Sequence, residues 1–119
     1  MVRNRFGHYL ADGKINGERV EFILDTGASD VNIPRATAQR LGLRGGHPSY
    51  AHTANGTITV YKIRLDSVQL GDIRLTDLEG SINPSMEGQH VLLGMSFLKQ
   101  LDFKQSGKNL TLIQLKPEL

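Results

Sequence analysis

Residues 23–29 read Ile-Leu-Asp-Thr-Gly-Ala-Ser, and the chemistry they offer is that of a carboxylate delivered from an apolar interior. Phe22, Ile23 and Leu24 lead a strand into a tight turn, and the turn presents Asp25. An acid in such a place is costly unless its oxygens are hydrogen-bonded or its charge is partly neutralised. Gly27 is expected to adopt a positive φ and to bring its amide to the carboxylate. Ala28 keeps the site small, and Thr26 and Ser29 supply hydroxyls to a local network. A carboxylate held where ionisation is expensive is the pattern of a functional acid. Isolated Asp-Thr-Gly triplets are mostly ordinary turns, because Asp and Gly both favour turns. Two features weigh against that reading: the apolar run before Asp25, and a matching run ending in glycine, Val91-Leu92-Leu93-Gly94, far downstream.

One acid is half of what hydrolysis needs. Without a metal or a covalent nucleophile, one carboxylate must activate water while another donates a proton. Asp66, Asp72, Asp77 and Asp102 are followed by Ser, Ile, Leu and Phe, so none repeats the setting of Asp25. The economical second carboxylate is Asp25 of another copy, brought to a two-fold axis.

The elements that must position this turn are short and mostly alternate apolar with polar residues. Asn16-Gly17 separates residues 9–15 from 18–24, a hairpin signature. Val20, Phe22 and Leu24 share one face of the second strand, and Val31 and Ile33 form another short strand. Pro34 opens a helix over 34–41 that stops at Gly42, with Ala36, Ala38 and Leu41 as packing residues. Residues 45–48 form a loop. A second hairpin, 50–54 and 57–65, turns at Asn55-Gly56. Its apolar parity shifts from Ile58 and Val60 to Tyr61, Ile63 and Leu65, which predicts a bulge or strong twist where an exposed hairpin rejoins the core. A third turns at Gly71-Asp72, between 68–70 and 73–75. Residues 83–89 read as a polar loop, 91–93 as a buried strand and 95–99 as one or two helical turns. A last hairpin, 101–104 and 109–115, turns around Ser106-Gly107. Many short strands with one or two short helices predict an all-β, closed barrel.

At 119 residues the chain is expected to be a single domain, 1–119, with a folded core of about 8–115. Its 39% hydrophobic and 22% charged content is that of an ordinary globular protein. The net charge is +2 and no aromatic-interleaved basic stripe accompanies it, so nucleic acid is not an expected partner. Arg35, Arg40 and Arg44 read as a solvated face. Cysteine is absent, which excludes disulfides, thiolate catalysis and cysteine–zinc sites, and leaves the compartment open. His8, His47, His52 and His90 lack metal-ligand spacing, so no metal or other cofactor is expected. No apolar run approaches membrane-spanning length, and residues 1–5 lack a signal-peptide core, so no membrane segment is expected in this chain.

Asp25-Thr26-Gly27-Ala28-Ser29, the Asn55-Gly56 hairpin and Leu92-Leu93-Gly94 before a short helix together resemble the retropepsin-type aspartic proteases. More narrowly, Leu-Leu-Gly-Met-Ser-Phe-Leu at 92–98 is similar to the bacterial members of that family. The likeness runs from about residue 9 to 115. It implies a retropepsin-like β-barrel, a homodimer, a peptide or protein substrate and aspartic endopeptidase activity without a cofactor. It implies that Asp25 is the catalytic aspartate, that Thr26 bonds across the two-fold, and that the backbone at Gly27 helps to bind an extended substrate. Thr53, Ala54, Asn55, Gly56 and Thr57 correspond to a flap tip, and Leu92, Leu93 and Gly94 to a support beneath the catalytic turn. Subsites would be lined by Ser29, Val31, Ile58 and Met95, each of which also reads as core or strand filler. Tyr50 and Tyr61 read as packing residues. The family's viral members join subunits through a sheet of chain termini; the candidate strand here is 110–115. Related bacterial proteins often carry an N-terminal membrane anchor, so the expectation is a soluble domain, released from or tethered to a bacterial membrane in a longer protein.

Two other readings stay open on the sequence. A retropepsin-like fold can serve as a non-catalytic dimerisation or peptide-binding module, although that role tolerates loss of Asp25, Thr26 or Gly27. Alternatively the chain is a general ligand-binding barrel in which Asp25 is a capped turn acid.

Overall fold

The computed structural model describes residues 8–54 and 56–114. β1 (Leu10–Ile15) and β2 (Glu18–Leu24) form the first hairpin. Asn16 and Gly17, at φ 51° and 83°, make its two-residue turn, the mirror-image geometry that matches strand twist. β3 (Val31–Pro34) runs into α1 (Arg35–Arg40), and Gly42 at φ 71° ends that helix. Its buried residues are Thr37 and Ala38, whereas Ala36 is exposed. The short helix can turn Thr37 inward because its hydroxyl donates to the Gln89 carbonyl at 2.7 Å, leaving no unpaired polar atom.

β4 (His47–Thr53) pairs with β5 (Gly56–Leu70), and β5 continues into a hairpin with β6 (Ile73–Asn83) around Gly71-Asp72. The expected second and third hairpins thus share one fifteen-residue strand. No bulge interrupts it, since both ladders keep a constant register. The shift in buried face falls where β5 changes neighbours: residues 56–62 pair with β4, and 61–70 with β6. β6 carries on to Asn83 through the start of the expected polar loop.

β7 (Val91–Leu93), α2 (Met95–Leu98), β8 (Leu101–Ser106) and β9 (Asn109–Gln114) complete the described chain. The main sheet runs β1-β2-β7-β3-β6-β5-β4, and β1 also pairs with β5. That pairing closes six strands into a barrel, with β4 outside the ring on β5. Two parallel pairings, β2 with β7 and β3 with β6, sit among the antiparallel ones, and β3 and β7 meet at Asn32 and Leu92. The barrel is filled by Ile15, Phe22, Val31, Ile33, Leu65, Val68, Leu93, Phe97 and Leu98, all at most 1% exposed. Each such side chain contributes about 1.5–3 kcal/mol on leaving water. β8 and β9 form a separate two-stranded sheet, turning at Gly107-Lys108 and anchored by buried Leu101 and Leu110.

Candidate active site

β2 and β7 run parallel, with Leu24 opposite Leu93, and Asp25 is the next residue beyond that pairing. Its amide donates to the Leu93 carbonyl at 3.1 Å, and its own carbonyl accepts from Ala28 at 3.2 Å. These two bonds fix the turn at both ends. The Gly27 amide then donates to Asp25 Oδ1 at 2.9 Å. Gly27 does not have the positive φ expected of it. Glycine serves there through space, since a Cβ would sit 3.2 Å from that same carboxylate oxygen.

Asp25 is half-buried rather than enclosed, and Thr26 and Gly27 are exposed. The acid is less covered than the apolar run before it implies, because the turn projects past the ends of β2 and β7. Its underside alone is covered. There the Met95 amide donates to the Ala28 carbonyl at 2.9 Å, and the Ser96 amide to the Ser29 carbonyl at 3.0 Å. Ser96 Oγ continues to the Glu79 carbonyl at 2.9 Å. A Cβ on Gly94 would overlap the Asp30 carbonyl oxygen and lie 2.7 Å from that of Ala28. The Leu-Leu-Gly run is therefore the end of β7 followed by the one residue small enough to seat the turn.

Thr26 and Ser29 were expected to join a local hydroxyl network, yet neither side chain has a hydrogen-bond partner among the described residues. Ser29 is exposed, and Met95 is half-buried against the core. Val31 is wholly buried among core residues, so it fills the barrel and is not a subsite.

Residues paired across an antiparallel ladder share a face. On the β4–β5 hairpin, Ala51 with Ile58, Ser49 with Val60 and His47 with Lys62 lie on one face. Pro48 with Tyr61, Tyr50 with Thr59 and His52 with Thr57 lie on the other. Val60 is buried and Ile58 half-buried, which marks the first face as the inner one. Tyr50 and Tyr61, expected to pack, are 76% and 37% exposed on the outer face. At the hairpin end Thr53 pairs through its backbone with Gly56, Ala54 is exposed and Gly56 takes φ 117°. Asn55 lies outside the described residues, as do 1–7 and residue 115 of the candidate interface strand.

Sequence reasoning passed over Asp30. Its carboxylate, on a residue 3% exposed, accepts Lys62 Nζ at 2.7 Å, Ser81 Oγ at 2.6 Å and Asn32 Nδ2 at 2.9 Å. Burial lowers the Lys62 pKa, but the hydrogen bond and charge of Asp30, with Glu79 3.8 Å away, outweigh it and hold Lys62 above the ordinary lysine value. The signal available was an acid directly before the buried β3 strand and a lysine at an inward-facing position of β5, which must pair to be tolerated.

Residues 11–100, from β1 through α2, match the family described as "gag-polyprotein putative aspartyl protease". A crystal structure of a retropepsin-like aspartic protease from Rickettsia conorii is 31% identical, superposes at a TM-score of 0.79 and covers 95% of both chains. The chain belongs to the retropepsin-like aspartic protease family. The fold of this retropepsin-like chain is also that of EIAV protease complexed with the inhibitor HBY-793, at a TM-score of 0.65 and 16% identity over 83% of this chain and 92% of the viral one. Two uncharacterised bacterial proteins are similar in sequence. One, encoded 5′ of cobV in Sinorhizobium sp, is 26% identical over 83% of the chain and 44% of its own length. The other, from Rickettsia prowazekii (strain Madrid E), is 29% identical over 95% of the chain and 49% of its own length. The retropepsin-like chain thus spans about half the length of the curated relatives it matches. No helix among the described residues is long and apolar enough to cross a membrane.

Proposed function

We propose that this chain is an aspartic endopeptidase whose active centre is assembled from Asp25 of two copies. The observation that carries the reading is the presentation of Asp25. Its turn is fixed from below by Leu93, Met95 and Ser96, its carboxylate takes the Gly27 amide, and its upper surface is open. Thr26 and Gly27 are exposed beside it, a surface that a second copy would cover by bonding Thr26 to its equivalent. The other described aspartates at ion pairs are committed, Asp30 to Lys62 and Asp77 to Arg64 at 2.8 Å. A concavity of about 1000 Å³ bordered by Lys14, Arg19, Glu21, Arg40 and His90 includes none of the 25–29 turn. That accords with a substrate cleft built only when two chains meet.

Two facing carboxylates about 3 Å apart cannot both ionise readily, so the pair holds one proton, as in aspartic proteases generally. The ionised member takes a proton from a bridging water, whose oxygen bonds to the scissile carbonyl carbon. The protonated member donates to the carbonyl oxygen, giving a tetrahedral diol. A proton passes to the amide nitrogen, the C–N bond breaks, and an acid and an amine leave. The working form carries a single proton, so activity favours acidic to mildly acidic pH. Substrate lies extended against Gly27 and the inner face of the β4–β5 hairpin, which acts as a flap through 53–57. Ser29 and Ile58 border its side chains. Asp25→Asn is predicted to abolish cleavage of peptide libraries while leaving circular dichroism and sedimentation unchanged. Undiminished cleavage by that variant would exclude the mechanism and favour the binding-module reading.

A further inference from the structure

Among the described residues, Asp30 is the one charged side chain that is buried. Three elements converge on its carboxylate: Lys62 from β5, Ser81 from β6 and Asn32 from β3. Its backbone belongs to the active turn's last bend, packed against Gly94, one residue after Ser29 is bonded by Ser96. Lys62 stands on the inner face of the same strand that carries Ile58 and Gly56 to the hairpin tip. Lys62 is half-buried against the buried Asp30, and an ion pair of that kind adds little net stability over an apolar pair of the same shape, so its value lies in direction. This one joins the turn bearing Asp25 to the strand bearing the hairpin.

We propose that the Asp30–Lys62 ion pair is a positioning device that holds the β4–β5 hairpin in register with the Asp25 turn. The inference rests on the protease reading, in which turn and hairpin grip one substrate between them. Asp30 and Lys62 touch no reacting atom; they act through the 25–29 turn at one end and β5 at the other. Ser81 and Asn32 complete the carboxylate's hydrogen bonds and keep it in place when β5 flexes. Glu79, 3.8 Å from Lys62, and His47, its cross-strand neighbour, are the other titratable groups around the lysine.

The test uses the whole chain and four variants: Lys62→Met, Lys62→Arg, Asp30→Asn, and Asp30→Asn with Lys62→Met. Kinetics are measured per folded chain, and amide hydrogen exchange is read at 25–29 and 56–62 without substrate. Lys62→Met is expected to lower kcat about 10–100-fold with a smaller change in KM, the scale of loss for a misplaced catalytic group. Exchange should quicken in both segments together, and Lys62→Arg should restore most of both readouts. The double variant, with no lone buried charge, should regain stability without regaining kcat. A double variant as active as the wild type would overturn the proposal, as would Lys62→Met exchange that quickens in 56–62 alone. If the wild type cleaves no peptide while the two segments still respond together, the protease reading fails and the coupling stands.

Discussion

Gly27 and Gly94 flank the same turn and are glycines for different reasons. At Gly27 the missing Cβ leaves room for Asp25 Oδ1 to approach the amide; at Gly94 it leaves room for the backbone of residues 28–30. Substitution by alanine should therefore separate activity from stability. Gly94→Ala must move two carbonyls and is expected to cost about 1–3 kcal/mol or more, read from the denaturant midpoint. Gly27→Ala meets a side-chain oxygen that can swing aside, so it should lower kcat far more than it lowers the midpoint. Equal midpoint losses in the two variants would contradict this division of roles. The turn that carries the acid was legible, because Asp25-Thr26-Gly27 directly after an apolar strand ends that strand in a tight bend. Its degree of exposure was not, since that depends on how far the turn projects beyond β2 and β7.

Elements declared themselves where turn chemistry is local. Asn16-Gly17, Gly71-Asp72 and Pro34 before α1 mark boundaries through the φ values their residues favour, and the structure has them at those places. What local chemistry cannot encode is neighbour exchange. β5 alters its buried face because its partner changes from β4 to β6; the parity shift at Tyr61 announces the change of face but not the identity of the new partner. Thr37 for Ala36 in the helix interior was missed for a similar reason: the partner, Gln89, is remote in sequence. Asp30 and Lys62, thirty-two residues apart, belong to the same class. Their pairing predicts a pH signature at this scale. Lys62 is held above its ordinary value of 10.5 against the pull of burial, chiefly by Asp30 and then Glu79. A base whose folded pKa is raised stabilises fully below its unfolded pKa, and loses that contribution as pH rises through the folded value. The stability gap between wild type and Lys62→Met should therefore stay level from neutral pH to about 10 and close only at higher alkalinity. A gap that closes below pH 9 would deny Lys62 its charged role.

The barrel in one chain is closed by β1 against β5, while the surface around Asp25, Thr26 and Gly27 is left open. On the proposed reading, a molecule that completes its core but leaves its acid half-open would draw the matching carboxylate from an identical copy by symmetry. Mixing wild-type chain with Asp25→Asn chain tests that directly. Wild-type protein is held fixed, the variant is added under exchange conditions, and peptide cleavage is followed. Shared centres predict that an equal amount of variant lowers the rate to about half, with further loss at each excess, because chains are drawn into pairs holding one working acid. A cleavage rate that stays constant however much variant is added would show each chain to be complete alone, and would contradict the account.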